Sequence, residues 1–181
     1  MNSSFAAAAV VAFWTEAGPG RWFKKDVAFD DEFRARFAAE HEAAASGALD
    51  DWANTAAGAL ALMILLDQYP RNSFRGTARM FATDSKALSS AKQAIAQGFD
   101  QAVDPALCRF FYLPFMHSEA LAEQDRSLEL YAPIGDEPMR FAVMHRDIIV
   151  RFGRFPHRNA LLGRTTTAEE QAFLHEGGFS G

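Results

Sequence analysis

A chain of 181 residues that is 49% hydrophobic, 23% charged and 13% aromatic is long enough to bury one core and too apolar to stay disordered. Its formal net charge of −5 argues against a general nucleic-acid binder, which would be basic overall. One cysteine, Cys108, excludes an internal disulfide and fits a reducing, cytoplasmic setting.

In chain order, helix signals recur. Met1 to Trp14 is apolar but lacks a basic start, so it reads as a first helix, capped by Ser3 or Ser4 and stopped by Gly18-Pro19, rather than a secretion signal. Asp30 is placed as the opener of the next helix, with Asp31 and Glu32 in its first turn. Phe33, Phe37 and His41 then share one face, which makes His41 a core residue, and Gly47 ends the helix. A helix from about Thr55 to Gln68 is apolar on most sides, the pattern of a central buried helix, and Pro70 is expected to stop it. Thr83 or Asp84 opens a helix closed by Gly98, and Asp104-Pro105 reads as an N-cap with proline at the first helical position. There Leu107, Phe110 and Phe111 surround Cys108, so the thiol reads as buried and inert, and Pro114 is expected to break the helix that Asp104 opens. Helices at about 118–131 and 138–155 come next, then a short one in which Thr167 and Glu170 form a capping box. Strand-like alternation is absent, and no stretch approaches a membrane span. The expectation is one all-α domain over residues 1–181, an array of helical hairpins or an irregular bundle of about six to eight helices.

Three strings are polar, non-periodic and sit at helix ends. They are Leu65-Leu66-Asp67-Gln68-Tyr69-Pro70-Arg71-Asn72 with Phe74-Arg75-Gly76, then Tyr112-Leu113-Pro114-Phe115-Met116-His117-Ser118-Glu119, and finally His145-Arg146-Asp147-Ile148-Ile149 with Arg151-Phe152-Gly153-Arg154-Phe155-Pro156-His157-Arg158-Asn159. With Trp22-Phe23 they resemble the bacterial family known as domain of unknown function 924, over about residues 10 to 176. The resemblance implies a tetratricopeptide-like fold, antiparallel helix pairs stacked into a right-handed superhelix. It implies no activity, and function must come from the site.

Charge is unevenly placed. Residues 26–51 are rich in Asp and Glu, whereas 140–164 carries Arg140, Arg146, Arg151, Arg154, Arg158 and Arg164 with only Asp147 opposing them. Arginine outnumbers lysine 14 to 4, and its planar fork suits carboxylate and phosphate. These arginines either pair with the acidic helix or grip an anion. Asp67, in the last turn of an apolar helix, opposes the dipole and needs a cation, either Arg71 as a buried pair or an arginine that holds a ligand. His117 is placed at a helix start with Ser118 as N-cap, which would favour the neutral imidazole. On a continuous helix, positions i and i+2 diverge by about 200°, so neither His117 with Glu119 nor His145 with Asp147 can chelate one ion. No metal or cofactor is expected. His145-Arg146-Asp147 resembles a kinase catalytic loop only superficially, since Phe152 stands where the metal-binding asparagine belongs, and no nucleotide-binding or nucleophile-elbow motif occurs.

Three readings stay open. In the first, Arg71, Arg75, Arg151, Arg154 and Arg158 hold a small anionic ligand or an acidic peptide end, oriented by Asn72, His157 and Asn159 with Asp67 in support. In the second, a hydrolase or transferase uses His117 and His145 as acid and base, with Glu119 or Asp147 orienting an imidazole. The third is a protein-binding scaffold, which requires an exposed aromatic patch and no small-molecule pocket.

Overall fold

A computed structural model of the chain describes residues 3–180, and the side chains of 5–180. The cap assigned to Ser3 or Ser4 therefore lies outside the described side chains. Every regular element among the described residues is helical: α1 (Ser3–Ala17), α2 (Pro19–Trp22), α3 (Val27–Ser46), α4 (Ala56–Met63), α5 (Tyr69–Ser73), α6 (Asp84–Ala96), α7 (Arg109–Met116), α8 (Leu121–Tyr131), α9 (Asp136–Phe152) and α10 (Ala168–His175). Eight of them run for eight residues or more, in agreement with the six to eight expected. None of the described helices is long and apolar enough to cross a membrane. The chain divides into two compact units, one holding the segment up to Arg75 with Arg79–Pro114, the other Gly76–Ala78 with everything from Phe115 onward.

In the first unit α1 packs on α4, α3 on α5 and α4 on α6. Its core is an aromatic stack in which the Phe13 ring lies 5.1 Å from Phe29 and 5.3 Å from Phe33, and Trp14 meets Phe110 edge-on at 5.5 Å. Trp22 tucks in behind, donating its indole N–H to the carbonyl of Trp14 at 2.6 Å. Two expectations about α3 change. It starts at Val27, capped by Asp26 (whose Oδ1 accepts the Phe29 N–H), and Asp30 is buried one turn further in. Asp26 is preferred because the cap must have extended backbone, whereas the buried Asp30 carboxylate meets Arg75.

Pro70 does not stop the buried helix. Thr55 caps α4, and Gly58 is required there because a Cβ would lie 2.2 Å from the Trp52 carbonyl. The chain then passes through a π-helical turn over Ile64–Gln68 into α5, with the Tyr69 N–H reaching back to the Ile64 carbonyl. This wide turn takes Tyr69 away from the Leu65 carbonyl, and Pro70 has no N–H to offer the Leu66 carbonyl. Both oxygens are satisfied from outside the helix. His41 Nδ1 meets Leu65 O at 2.9 Å and the Thr83 hydroxyl donates to Leu66 O at 2.5 Å. His41 is thus the core residue expected, stacked on Tyr69 with ring centroids 4.5 Å apart. Cys108 is buried too. Asp104 makes only a turn, with its Oδ1 accepting the Ala106 N–H, and α7 starts later, at Arg109. Pro114 lies inside α7 rather than breaking it.

In the second unit α8 packs along α9. Ile148, Ile149 and Phe155 form its core with Met144, Phe152, Phe173 and Phe179 around them. Glycine is needed at 153, where φ is +68° and the chain leaves α9 toward Arg154–Arg164. The capping box at Thr167 and Glu170 forms as read. His117 and Ser118 depart from expectation. His117 follows the last turn of α7 and Ser118 caps no helix, its Oγ accepting only the Ala120 N–H before α8 begins at Leu121.

Candidate functional site

The charged candidates of the first unit are matched inside the fold. Asp67 is 1% exposed and receives Arg71 Nη1 at 3.1 Å and Gln68 Nε2 at 2.6 Å. The same Arg71 nitrogen lies 2.9 Å from Asp84 Oδ1 and donates to the Asp67 carbonyl at 2.8 Å. Arg75 forks onto buried Asp30, Nε to Oδ2 at 2.7 Å and Nη2 to Oδ1 at 3.3 Å. Asn72 is buried beside them, its Nδ2 without a hydrogen-bond partner among the described residues. An anion competing for Arg71 would have to displace two carboxylates in a dry setting, where losing a partner is most costly.

The second unit gathers the remaining candidates around the loop that leaves α9. Glu119 Oε1 accepts the Phe155 N–H at 2.8 Å, and Arg164 clasps both Glu119 oxygens at 2.7 and 3.0 Å. Burial raises the Glu119 pKa, but the Arg164 fork and the Phe155 N–H outweigh it and the net shift is downward. Arg154 clasps Glu170 through Nε at 2.6 Å and Nη2 at 2.9 Å. Glu170 also accepts from the Thr167 N–H and from Asn159 Nδ2, and the Arg154 bond is the main reason its pKa is driven down to about 2. These two carboxylates act as clamps on the 153–165 loop. The turn after α7 is held as firmly, since Gln124 Nε2 donates to the carbonyls of Met116 and Ser118, and Arg158 Nη2 to that of His117.

On this frame three of the five histidines meet. The His117 and His145 ring centroids are 6.4 Å apart, and Phe155 lies 5.6 Å from both His145 and His157. Phe179 covers the other side, 4.6 Å from His145 and 5.2 Å from His157. His145 is buried and its Nδ1 lies 2.8 Å from the Phe141 carbonyl. A carbonyl only accepts, so Nδ1 carries the proton and Nε2 the lone pair. Burial, followed by the neighbouring His117, pushes the His145 pKa down to about 3. Burial followed by the Arg158 charge pushes His157 down to about 4, and His157 Nδ1 has no hydrogen-bond partner among the described residues. Among these residues no group of three His, Cys, Asp or Glu side chains is arranged to hold a metal ion.

Asp147 and Arg151 lie elsewhere in this unit, lining a groove bounded by α9, α10 and Gly177–Phe179. Asp147 is exposed while His145 is buried, so the two point apart as the i and i+2 spacing requires. Arg151 Nε pairs with Glu169 at 2.9 Å, a half-exposed pair of small energetic weight. Sequence reasoning missed the roles of Arg164, Glu170 and Phe179. A signal existed for Glu170 in its capping box, but nothing in the sequence links Arg164 to Glu119, 45 positions away.

With every regular element of the described residues helical, the class these features define is an all-α protein, whose C-terminal unit holds two arginine-clasped carboxylates beside three neighbouring imidazoles. The model of a family described as bacterial protein of unknown function (DUF924) matches residues 10–178, and the chain belongs to that family. The solved structure of the protein of unknown function ATU0120 from Agrobacterium tumefaciens is 53% identical to it, with a TM-score of 0.95 over 97% of this chain and 100% of that one. No curated protein matches the chain.

Proposed function

We propose that the histidine cluster is an acid–base site acting on a small anionic molecule, by hydrolysis or group transfer at a phosphate or carbonyl. The observation that carries this reading is the meeting of His117, from the turn after α7, and His145, from α9, with ring centroids 6.4 Å apart. His145 is the proton acceptor through Nε2, its tautomer held by the Phe141 carbonyl. His117 is its donor partner; Gln124 fixes the backbone on either side of His117, and Glu119 fixes that of Phe155. A base held at about 3 is too weak for work near neutral pH. An anionic substrate corrects this, since a negative charge beside the imidazole favours its protonated form and raises its pKa. That coupling is why the substrate is proposed to be an anion. A cytoplasmic setting is supported by the lone buried thiol.

The test is a screen of the purified protein against phosphomonoesters, phosphodiesters and carboxylic esters, repeated with His145→Gln and His117→Gln. Each variant is expected to lose at least about a hundredfold in rate, in line with general acid–base catalysis, while keeping its helical circular dichroism. Turnover that survives both substitutions ends the proposal. A second reading, anion binding without chemistry, is favoured by the unpartnered His157 Nδ1 beside Arg158. It predicts a thermal shift with inorganic phosphate or dicarboxylates that His157→Ala abolishes, and no turnover.

A further inference from the structure

The groove of the second unit has a volume of about 490 Å³, within the range of small-ligand sites. One face of α9 forms its floor, because Arg140, Met144, Asp147 and Arg151 follow one another at helical spacing. Phe152, at the end of α9, and Phe173 line it with ring centroids 5.1 Å apart, and Phe179 lines it too. Arg151 is engaged by Glu169, but Arg140 and Asp147 are exposed and form no ion pair among the described residues. The groove therefore offers one unmatched positive and one unmatched negative side chain, seven residues apart on one helix. At 1.5 Å of rise per residue that separation is about 10 Å. An extended peptide spans at most ~3.3–3.6 Å per residue, so three residues place a terminal ammonium and a terminal carboxylate about that far apart.

We infer that this groove binds a short peptide of about three residues with free termini and an apolar first side chain. The carboxylate faces Arg140, the ammonium faces Asp147, and the first side chain packs against Phe152 and Phe173. The order follows from the floor, since Asp147 lies nearer than Arg140 to the aromatic end of α9. A ligand bearing only an anion would leave Asp147 beside it unmatched, and one bearing only a cation would do the same to Arg140.

Isothermal titration with the tripeptide Phe-Ala-Ala tests this, against its N-acetylated and C-amidated forms and against 3-phenylpropionate. The free peptide is expected to bind, and each blocked form at least tenfold more weakly. Asp147→Asn should weaken the free peptide to the level of the acetylated one, and Arg140→Gln to that of the amidated one. Both substitutions are at exposed positions, and an unchanged melting temperature shows that the fold is kept. No heat at millimolar peptide overturns the inference, as do blocked peptides or 3-phenylpropionate that bind equally well. The readout is binding, so it is independent of whether the histidines turn anything over.

Discussion

At the scale of single residues, the second unit is governed by which groups are allowed to carry charge. Glu170 is buried and Glu119 half-buried, but both are clasped by arginine forks and their pKa values fall. His145 and His157 are enclosed by Phe155 and Phe179 with Arg158 nearby, and theirs fall as well, toward the neutral form. Following the histidine ring signals by NMR should therefore show both rings neutral down to about pH 4. Phe179→Ala should raise both values, because it lets water reach two imidazoles now covered by one ring. If the substitution leaves both titrations where they are, burial under Phe179 is not the cause of the shift.

At the scale of elements, the π-helical turn over Ile64–Gln68 shows how one proline changes a helix without ending it. Leu66 O lacks an N–H at Pro70, and the Thr83 hydroxyl takes that place. Thr83→Val keeps the shape and removes the donor, leaving a carbonyl in a dry interior without that partner. The expected cost is about 1–3 kcal/mol, read from the urea midpoint. Thr167→Ala at the capping box of α10 should cost about 1 kcal/mol by the same measurement. A smaller loss at Thr83 than at Thr167 would mean that Leu66 O has found another donor.

At the scale of the whole molecule, charges find partners close at hand. In the acidic stretch Glu42 pairs with Arg79, Asp50 with Lys86 and Asp30 with Arg75. In the arginine-rich stretch Arg146 pairs with Asp125, Arg151 with Glu169, Arg154 with Glu170 and Arg164 with Glu119. The expectation that the arginines pair with the acidic helix is thus corrected for these four, because carboxylates nearer in the fold reach them first. The acid response of the fold follows from the histidines. An unfolded histidine titrates near 6.5, above the folded values of about 3 and about 4, so the unfolded chain binds more protons across that window. Stability should fall as pH drops from about 6.5 toward 5, by up to about 1.4 kcal/mol per pH unit for each histidine. The lowered carboxylates come into play only below that range. Urea midpoints at pH 7, 6 and 5 check this, and a His145→Gln, His157→Gln double variant should flatten the slope. An equal slope in the variant would remove His145 and His157 from the account.

The all-α class, the buried α4, the core role of His41 and the capping box at Thr167 were legible in the sequence, because each rests on spacing within about one or two turns. So was the group of residues from which the proposed site is drawn. Local signals failed where a distant partner decided the outcome. Pro70 ends an isolated helix, yet His41 and Thr83 satisfy the carbonyls it releases and the chain runs on. Asp30 reads as a cap until Arg75, 45 positions away, takes its carboxylate. Which arginines are matched and which histidines share a pocket could not be read from spacing, since 28 and 40 residues separate His145 and His157 from His117. Helix periodicity is a property of neighbours in the chain. Solvation, pairing and protonation belong to neighbours in space, and only the tertiary structure chooses those.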